Sequence, residues 1–387
     1  MRRAGGGSRS GRRNAYGLVA LAAAVLVGAG VAAWLLLRGE EDEARRSDSR
    51  AAAKTELSAW LADWQWEAGL SDLDRSVAGL DSLQAFAAYF DESDRLLFTD
   101  DFEAGFPAIR ERLEQEDRDN GGEYGEGGGG APRLDLTLVN DIVRADGSES
   151  QKDPELVTRL LADDASRSAH IGEIMAAVER YGVGGVELDY ERVDDGDWER
   201  MLLLIDELYA KLVERGKSLR IVLEPRAPIE KLSWPEGPEY VLMAYNLYGS
   251  HSEPGPKADL AFIREQAKRM AKLPGARHLA LASGGFDWLL SGPDAGKATG
   301  ITEAEAAELA ERSLDQPTRD EASGSLRFEY TGEDGAKHEV WYADGETLAG
   351  WAAAARSSGA NLAGIALWRL GGLGDASLEG IASGLGE

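Results

Sequence analysis

Gly184-Gly185-Val186-Glu187-Leu188-Asp189-Tyr190-Glu191 is the most informative stretch of the chain. Side chains alternate along a strand, so Glu187, Asp189 and Glu191 share one face, and Val186, Leu188 and Tyr190 the other. A half-exposed strand with a solvated acidic face would show the same alternation. In a closed barrel the apolar set faces the surrounding helices and the three carboxylates face inward. Glu191 then stands at the C-terminal mouth, where barrel active sites lie. Crowding three acids in a poorly solvated interior is unfavourable unless one holds a proton. A carboxyl raised in this way is suited to general acid catalysis near neutral pH.

Similar apolar runs lie on either side of this stretch. Leu57–Trp64, Leu83–Phe90, Leu134–Asn140, Val183–Glu191, Leu219–Pro225, Tyr240–Asn246, His278–Ser283 and Gly364–Leu370 are almost continuously apolar. Parallel strands covered on both faces have this character. Helical patterns separate them. Met201, Leu204, Ile205, Leu208 and Leu212 form one stripe, with Asp194, Asp195 or Asp197 as its cap and Gly216 as its end. Ile171–Arg180, Leu260–Leu273, Thr302–Ser313 and Thr347–Ser358 also read as helices. Strands and helices in this alternation predict an α/β fold, a (β/α)8 TIM barrel. A doubly wound sheet is the competitor, but no G-x-G-x-x-G follows the first strand. Leu326–Tyr330 and His338–Tyr342 read as a β-hairpin, inserted at about 314–345 before the last helix and strand. The Gly-rich stretch Asp117–Pro132 reads as a loop and not as a phosphate cradle.

The 387 residues carry a formal charge of −27, which argues against nucleic acid as a partner. The absence of cysteine removes disulfides, thiol nucleophiles and iron–sulfur clusters. The four histidines show no metal-binding spacing, and no metal or cofactor is expected. The charge is uneven, because residues 1–38 hold six arginines and no acid. Ala15–Leu37 is free of charge for 23 residues, enough to cross a bilayer as a helix. These features predict a basic cytoplasmic tail at 1–14, a single-pass signal anchor at 15–38 and a charged linker at 39–54. An extracytoplasmic catalytic domain at 55–387 completes the expected order. Cleavage near Val31-Ala32-Ala33 would instead release a secreted protein.

The acidic stretch resembles the signature of glycoside hydrolase family 18, D-x-x-D-x-D-x-E at the end of the fourth barrel strand. Three further segments resemble the family in the same order. Leu242-Met243-Ala244-Tyr245-Asn246 is similar to its M-x-Y-D, Leu279–Trp288 to its seventh strand and continuation, and Gly364–Gly371 to its eighth strand with a sugar-stacking Trp. With Ser252-Glu253-Pro254-Gly255-Pro256, the chain resembles in particular the bacterial spore-cortex and cell-wall N-acetylglucosaminidases.

The resemblance implies a retaining glycosidase in which the substrate's own acetamide oxygen is the nucleophile and an oxazolinium ion forms. It implies Glu191 as acid and then base, with Asp189 holding the acetamide N–H and sharing a hydrogen bond with Glu191. Tyr245 would donate to the acetamide carbonyl. Met243 and Asn246 would line the pocket, and Trp368 would form an apolar floor for the sugar. Core packing is the other reading of Tyr245 and Trp368. Two positions depart from the family pattern around this site. Gly184 replaces the first acid of the signature, and Asn246 the Asp after Tyr245. A third, Glu187, is one methylene longer than the usual Asp and would have to reach Asp189 in another rotamer. The implied partner is a GlcNAc-containing polysaccharide, peptidoglycan first and chitin-type polymers second. Oligomeric state is not readable. A family 18-like lectin that binds without cleaving is the alternative. A metal-assisted barrel enzyme using Glu187, Asp189, Glu191 and Glu224 is the weaker third reading.

Overall fold

The computed structural model describes residues 55–119, 130–313, 315–383 and 385. The apolar runs become β1 (Glu56–Ala62), β2 (Ser82–Phe90), β3 (Arg133–Val143), β4 (Gly185–Asp189), β5 (Ser218–Leu223), β6 (Glu239–Met243), β7 (Arg277–Ala282) and β8 (Gly364–Leu370). Each pairs in parallel with the next, as in Leu136↔Val186 and Leu242↔Leu279. β8 returns to β1 through Leu57↔Ile365, so the described strands close into a (β/α)8 barrel.

The helical layer is α1 (Trp66–Ser76), α2 (Asp100–Asp119), α3 (Pro154–Leu160), α4 (Asp164–Tyr181), α5 (Trp198–Val213), α6 (Leu260–Met270), α7 (Glu303–Ala310), α8 (Gly345–Arg356) and α9 (Asp375–Ala382). Between β5 and β6 this layer is reduced to the 3-10 turn Ile229–Lys231. The stripe Met201, Leu204, Ile205, Leu208 and Leu212 is buried as its spacing predicts. Each such side chain contributes about 1.5–3 kcal/mol. Asp197 precedes α5 but does not cap it. Its carboxylate is taken by Thr158 and Arg200.

The sequence reading missed α2 and placed the insertion too narrowly. Pro107 lies inside α2 and its last turns are rich in Glu, Asp and Arg, which hides its apolar face of Phe102, Phe106, Ile109 and Leu113. The 326–331 and 337–343 hairpin is present, but as part of a five-stranded antiparallel sheet. That sheet begins at Gly284–Leu289, only one residue after β7, and includes Ala298–Ile301. At Gly285 the Trp341 carbonyl oxygen lies 1.7 Å from where a Cβ would stand, so this crossing admits only glycine. Leu326–Thr331 alternates buried and exposed residues, and Phe328, Tyr330, Val340 and Tyr342 pack with Ala306 of α7 in a core of their own.

The chain divides into Met1–Lys54 and Thr55–Glu387. The expected tail, anchor and linker at 1–14, 15–38 and 39–54 lie outside the described residues, as does 120–129 of the Gly-rich stretch. Among the described residues no helix is long and apolar enough to cross a membrane.

Candidate active site

β4 stops at Asp189, two residues earlier than its apolar pattern suggests. Tyr190 turns outward, and its hydroxyl meets His170 Nε2 of α4 at 2.8 Å. Glu191 is then fixed through its backbone. Its N–H donates to Asn140 Oδ1 and its carbonyl accepts from Asn140 Nδ2, both at 2.9 Å. Arg192 takes a left-handed φ of 55° and donates its N–H to Glu224 Oε2. The carboxylate of Glu191 therefore projects from a doubly anchored turn at the barrel mouth.

Lys152 reaches across that mouth from the segment after β3. The short strand Glu149–Ser150 folds back on β3 at Ile142↔Ser150, and the Lys152 N–H donates to Asp141 Oδ1 at 2.8 Å. Its ammonium lies 3.3 Å from Glu191 Oε1 and 3.5 Å from Asp141 Oδ1. Burial opposes the charge on Lys152, yet Asp189, Glu191 and Asp141 together hold its pKa above the usual lysine value. Burial raises Glu191 above the ordinary carboxyl range, Lys152 opposes the rise, and Glu224 adds to it.

Asp189 is buried, and its Oδ1 has no hydrogen-bond partner among the described residues. Burial pushes it well up, Lys152 opposes, and the charges of Glu191 and Glu187 push further. Tyr245 and Met243 come up from β6 into the same cavity. Burial and the nearby Asp189 and Glu191 keep the Tyr245 phenol protonated. Asn246, at φ 62°, adopts a left-handed conformation that Asn tolerates better than most residues. Trp368 on β8 sits at the centre of an aromatic group, 4.9 Å from the ring of Phe86, 5.9 Å from Trp60 and 6.4 Å from Trp64. The six residues Asp189, Glu191, Met243, Tyr245, Asn246 and Trp368 all line one cavity of about 810 Å³.

Glu187 does not line it. The carboxylate expected to reach Asp189 is fully buried one layer deeper, where it accepts from Arg220 Nε at 2.9 Å, Thr137 Oγ1 at 2.8 Å and the Trp60 indole N–H. Its extra methylene directs it into a polar network on the barrel floor. Arg220 also approaches Glu239, which pairs with Arg133 at 3.0 Å. A Cβ on Gly184 would meet Arg133 Cγ at 2.6 Å, so the missing first acid leaves room for an arginine neutralised by Asp135 and Glu239.

The inserted sheet, the β6–α6 segment and the end of β8 supply a further wall, with Phe286, Thr302, Lys257 and Arg369 facing the cavity. Trp64, expected inside the first strand, lies in a 3-10 turn just after it and is 51% exposed at the rim. Sequence reasoning missed Asn140, Lys152, Lys257 and Arg369 as site residues. The four-carboxylate metal reading loses two of its members, because Glu187 is bound to Arg220 and Glu224 to Arg226.

The sequence pattern of the glycosyl hydrolases family 18 matches residues 150–372. Among curated proteins the chain resembles one from Bacillus subtilis provisionally named as the sporulation-specific glycosylase YdhD. The two are 27% identical over 202 residues, 49% of this chain and 48% of YdhD, so the chain spans about half the length of that relative. Among solved structures, the spore cortex-lytic enzyme SleL of Bacillus cereus superposes with a TM-score of 0.68 at 18% identity. The match covers 87% of this chain and 75% of SleL. A chitinase from Chromobacterium violaceum gives 0.67 at 18% identity, covering 86% and 99%. These two likenesses establish the shared fold.

Proposed function

The chain belongs to the glycosyl hydrolases family 18, and on that premise we propose that it hydrolyses β-linked N-acetylglucosamine polymers, with peptidoglycan as the first substrate and chitin-type glycans as the second. Glu191 protonates the glycosidic oxygen as the acetamide oxygen attacks the anomeric carbon and the bond to the leaving sugar breaks. Asp189 receives the acetamide N–H and balances the positive charge of the oxazolinium ion. Tyr245 donates to the acetamide oxygen and aims it. Glu191, now a carboxylate, takes a proton from water, which opens the ring at the anomeric carbon with net retention. Trp368 carries the apolar face of the sugar.

The observation that supports this most strongly is Asp189 Oδ1, a buried acceptor without a donor, beside Glu191 and Tyr245 in one cavity. A buried acceptor left unmet is unfavourable by about 1–3 kcal/mol, and an acetamide N–H supplies the missing donor. The test is inhibition by a thiazoline analogue of the oxazolinium ion together with the anomeric configuration of the first product. Competitive inhibition and a β-product support acetamide participation, whereas an α-product excludes it.

Binding without turnover is the second reading, favoured by one observation. Lys152 pairs with Glu191 and stabilises the form that cannot donate a proton. Retained glycan binding with no product from any substrate would select it. For location we propose a membrane anchor at 15–38, with the catalytic domain outside the cytoplasm and the linker 39–54 keeping it near its polymer. Alkaline extraction of membranes leaves an anchored protein in the pellet and releases a cleaved one.

A further inference from the structure

One wall of the cavity carries two cations that form no ion pair among the described residues. Lys257 Nζ donates to the Ser283 carbonyl at 2.8 Å and lies 5.5 Å from the Phe286 ring centre. The Ser283 N–H in turn donates to the Trp368 carbonyl, so Lys257 is joined through one residue to the strand that carries Arg369. The Arg369 guanidinium lies over Trp64 at 5.4 Å and Trp368 at 6.0 Å, and its donor contact is the neutral Gln65 Oε1.

Neither cation forms an ion pair with a carboxylate among the described residues. Glu305 is the acid that acts on Arg369, but its Oε2 already accepts from Thr302 N–H and Oγ1 at 2.7 and 2.9 Å. Burial, together with the charge of Arg369, brings the Lys257 pKa down to about 7. Two like charges that line one cavity and act on each other in a poorly solvated wall are unfavourable, and they stand out in a chain of net charge −27. A bound anion would relieve them. A guanidinium fork on the same cavity as an ammonium suits a carboxylate in shape as well as charge.

We propose that Lys257 and Arg369 form an anion subsite of the groove, which receives a carboxylate carried by the sugar adjacent to the one held on Trp368. This rests on the reading of the cavity as a site for N-acetylglucosamine polymers, and it selects among them. Unmodified chitin-type chains carry no anion. Peptidoglycan alternates N-acetylglucosamine with its lactyl ether, whose carboxylate is free in peptide-free glycan and replaced by stem-peptide carboxylates where a peptide is attached. The shared chemistry is a carboxylate on the neighbouring sugar, from either source.

The test uses the full chain carrying Glu191→Gln, so that binding is read without turnover. Calorimetry compares a peptide-free peptidoglycan tetrasaccharide as the free acid, the same tetrasaccharide as its methyl ester, and a peptide-bearing tetrasaccharide. The subsite predicts that the free acid binds at least tenfold more tightly than the ester. It also predicts that this ratio falls towards one when Lys257→Met or Arg369→Gln is added. If acid and ester bind alike but the peptide-bearing glycan weakens at least tenfold on either substitution, the carboxylate recognised is that of the peptide. Equal binding of all three glycans, unchanged in ratio by either substitution, overturns the subsite and leaves the glycan site standing. Absence of binding to every glycan, ester included, removes the site reading and the subsite with it.

Discussion

Lys152 Nζ lies 3.3 Å from Glu191 Oε1, so the proposed proton donor is held in an ion pair by a residue outside the segments whose resemblance pointed to the site. A positive charge at that distance favours the carboxylate and works against the effect of burial on Glu191. Removing it raises the Glu191 pKa, and the protonated form then persists to higher pH. For Lys152→Met we predict that the alkaline limb of the pH profile of kcat/KM moves upward by about one unit. Lys152→Arg should leave the limb near its original position. An unmoved limb in Lys152→Met would show that the pair does not tune the acid.

Asn140 offers a separate handle on the same carboxyl. Its amide holds both the N–H and the carbonyl of Glu191, and Asn140 does not itself line the cavity. Asn140→Ala should lower kcat by roughly 10²-fold, through misplacement of the acid, with little change in KM. Stability should fall by about 1–3 kcal/mol. Steady-state kinetics and a urea titration read the two effects separately.

Glu187 behaves differently, because its oxygens face Arg220, Thr137 and Trp60 on the barrel floor. Truncating one partner of a buried ion pair leaves the other charge unmet, at about 3–5 kcal/mol. Arg220→Met should destabilise by that order. The double variant Arg220→Met with Glu187→Gln should regain much of it. A double variant no more stable than the single would show that the two residues are not coupled.

Trp368 packs edge to face against Phe86 and Trp60 and presents its remaining surface to the cavity. Trp368→Ala should raise KM for short oligosaccharides about tenfold, the equivalent of about 1.4 kcal/mol of lost contact. Tyr245→Phe should act mainly on kcat, because its hydroxyl orients the acetamide instead of carrying the ring.

The barrel was legible because each of its strands is an apolar run of the right length between helical patterns. Val183–Glu191 shows where such legibility ends. The alternation placed Asp189 and Glu191 on one face correctly, but β4 closes at Asp189 and the orientation of Glu191 is set by Asn140. Asn140 stood at the edge of an apolar run and Lys152 in the polar segment after β3, and each is a single polar residue whose role depends on a contact with Glu191. The same holds for Lys257 and Arg369, brought together by β8 and the segment after β6. Glu187 had the expected face and charge, but its length and the presence of Arg220 drew it below the cavity. The start of the inserted sheet was hidden inside Leu279–Trp288, which reads as the seventh strand and its continuation, whereas Gly284-Gly285 is a close crossing where a new strand begins.

The role of Glu191 is open to a single comparison, hydrolysis of peptidoglycan and of a chromogenic β-N-acetylglucosaminide by the full chain and by its Glu191→Gln variant. The variant keeps the size of the side chain and the backbone clasp of Asn140 but cannot donate a proton as a carboxylic acid does. The predicted result is turnover by the parent and a loss of at least about 10²-fold in kcat for a variant that still folds. A variant that cleaves within a few-fold of the parent rate would contradict the assignment of Glu191 as the acid.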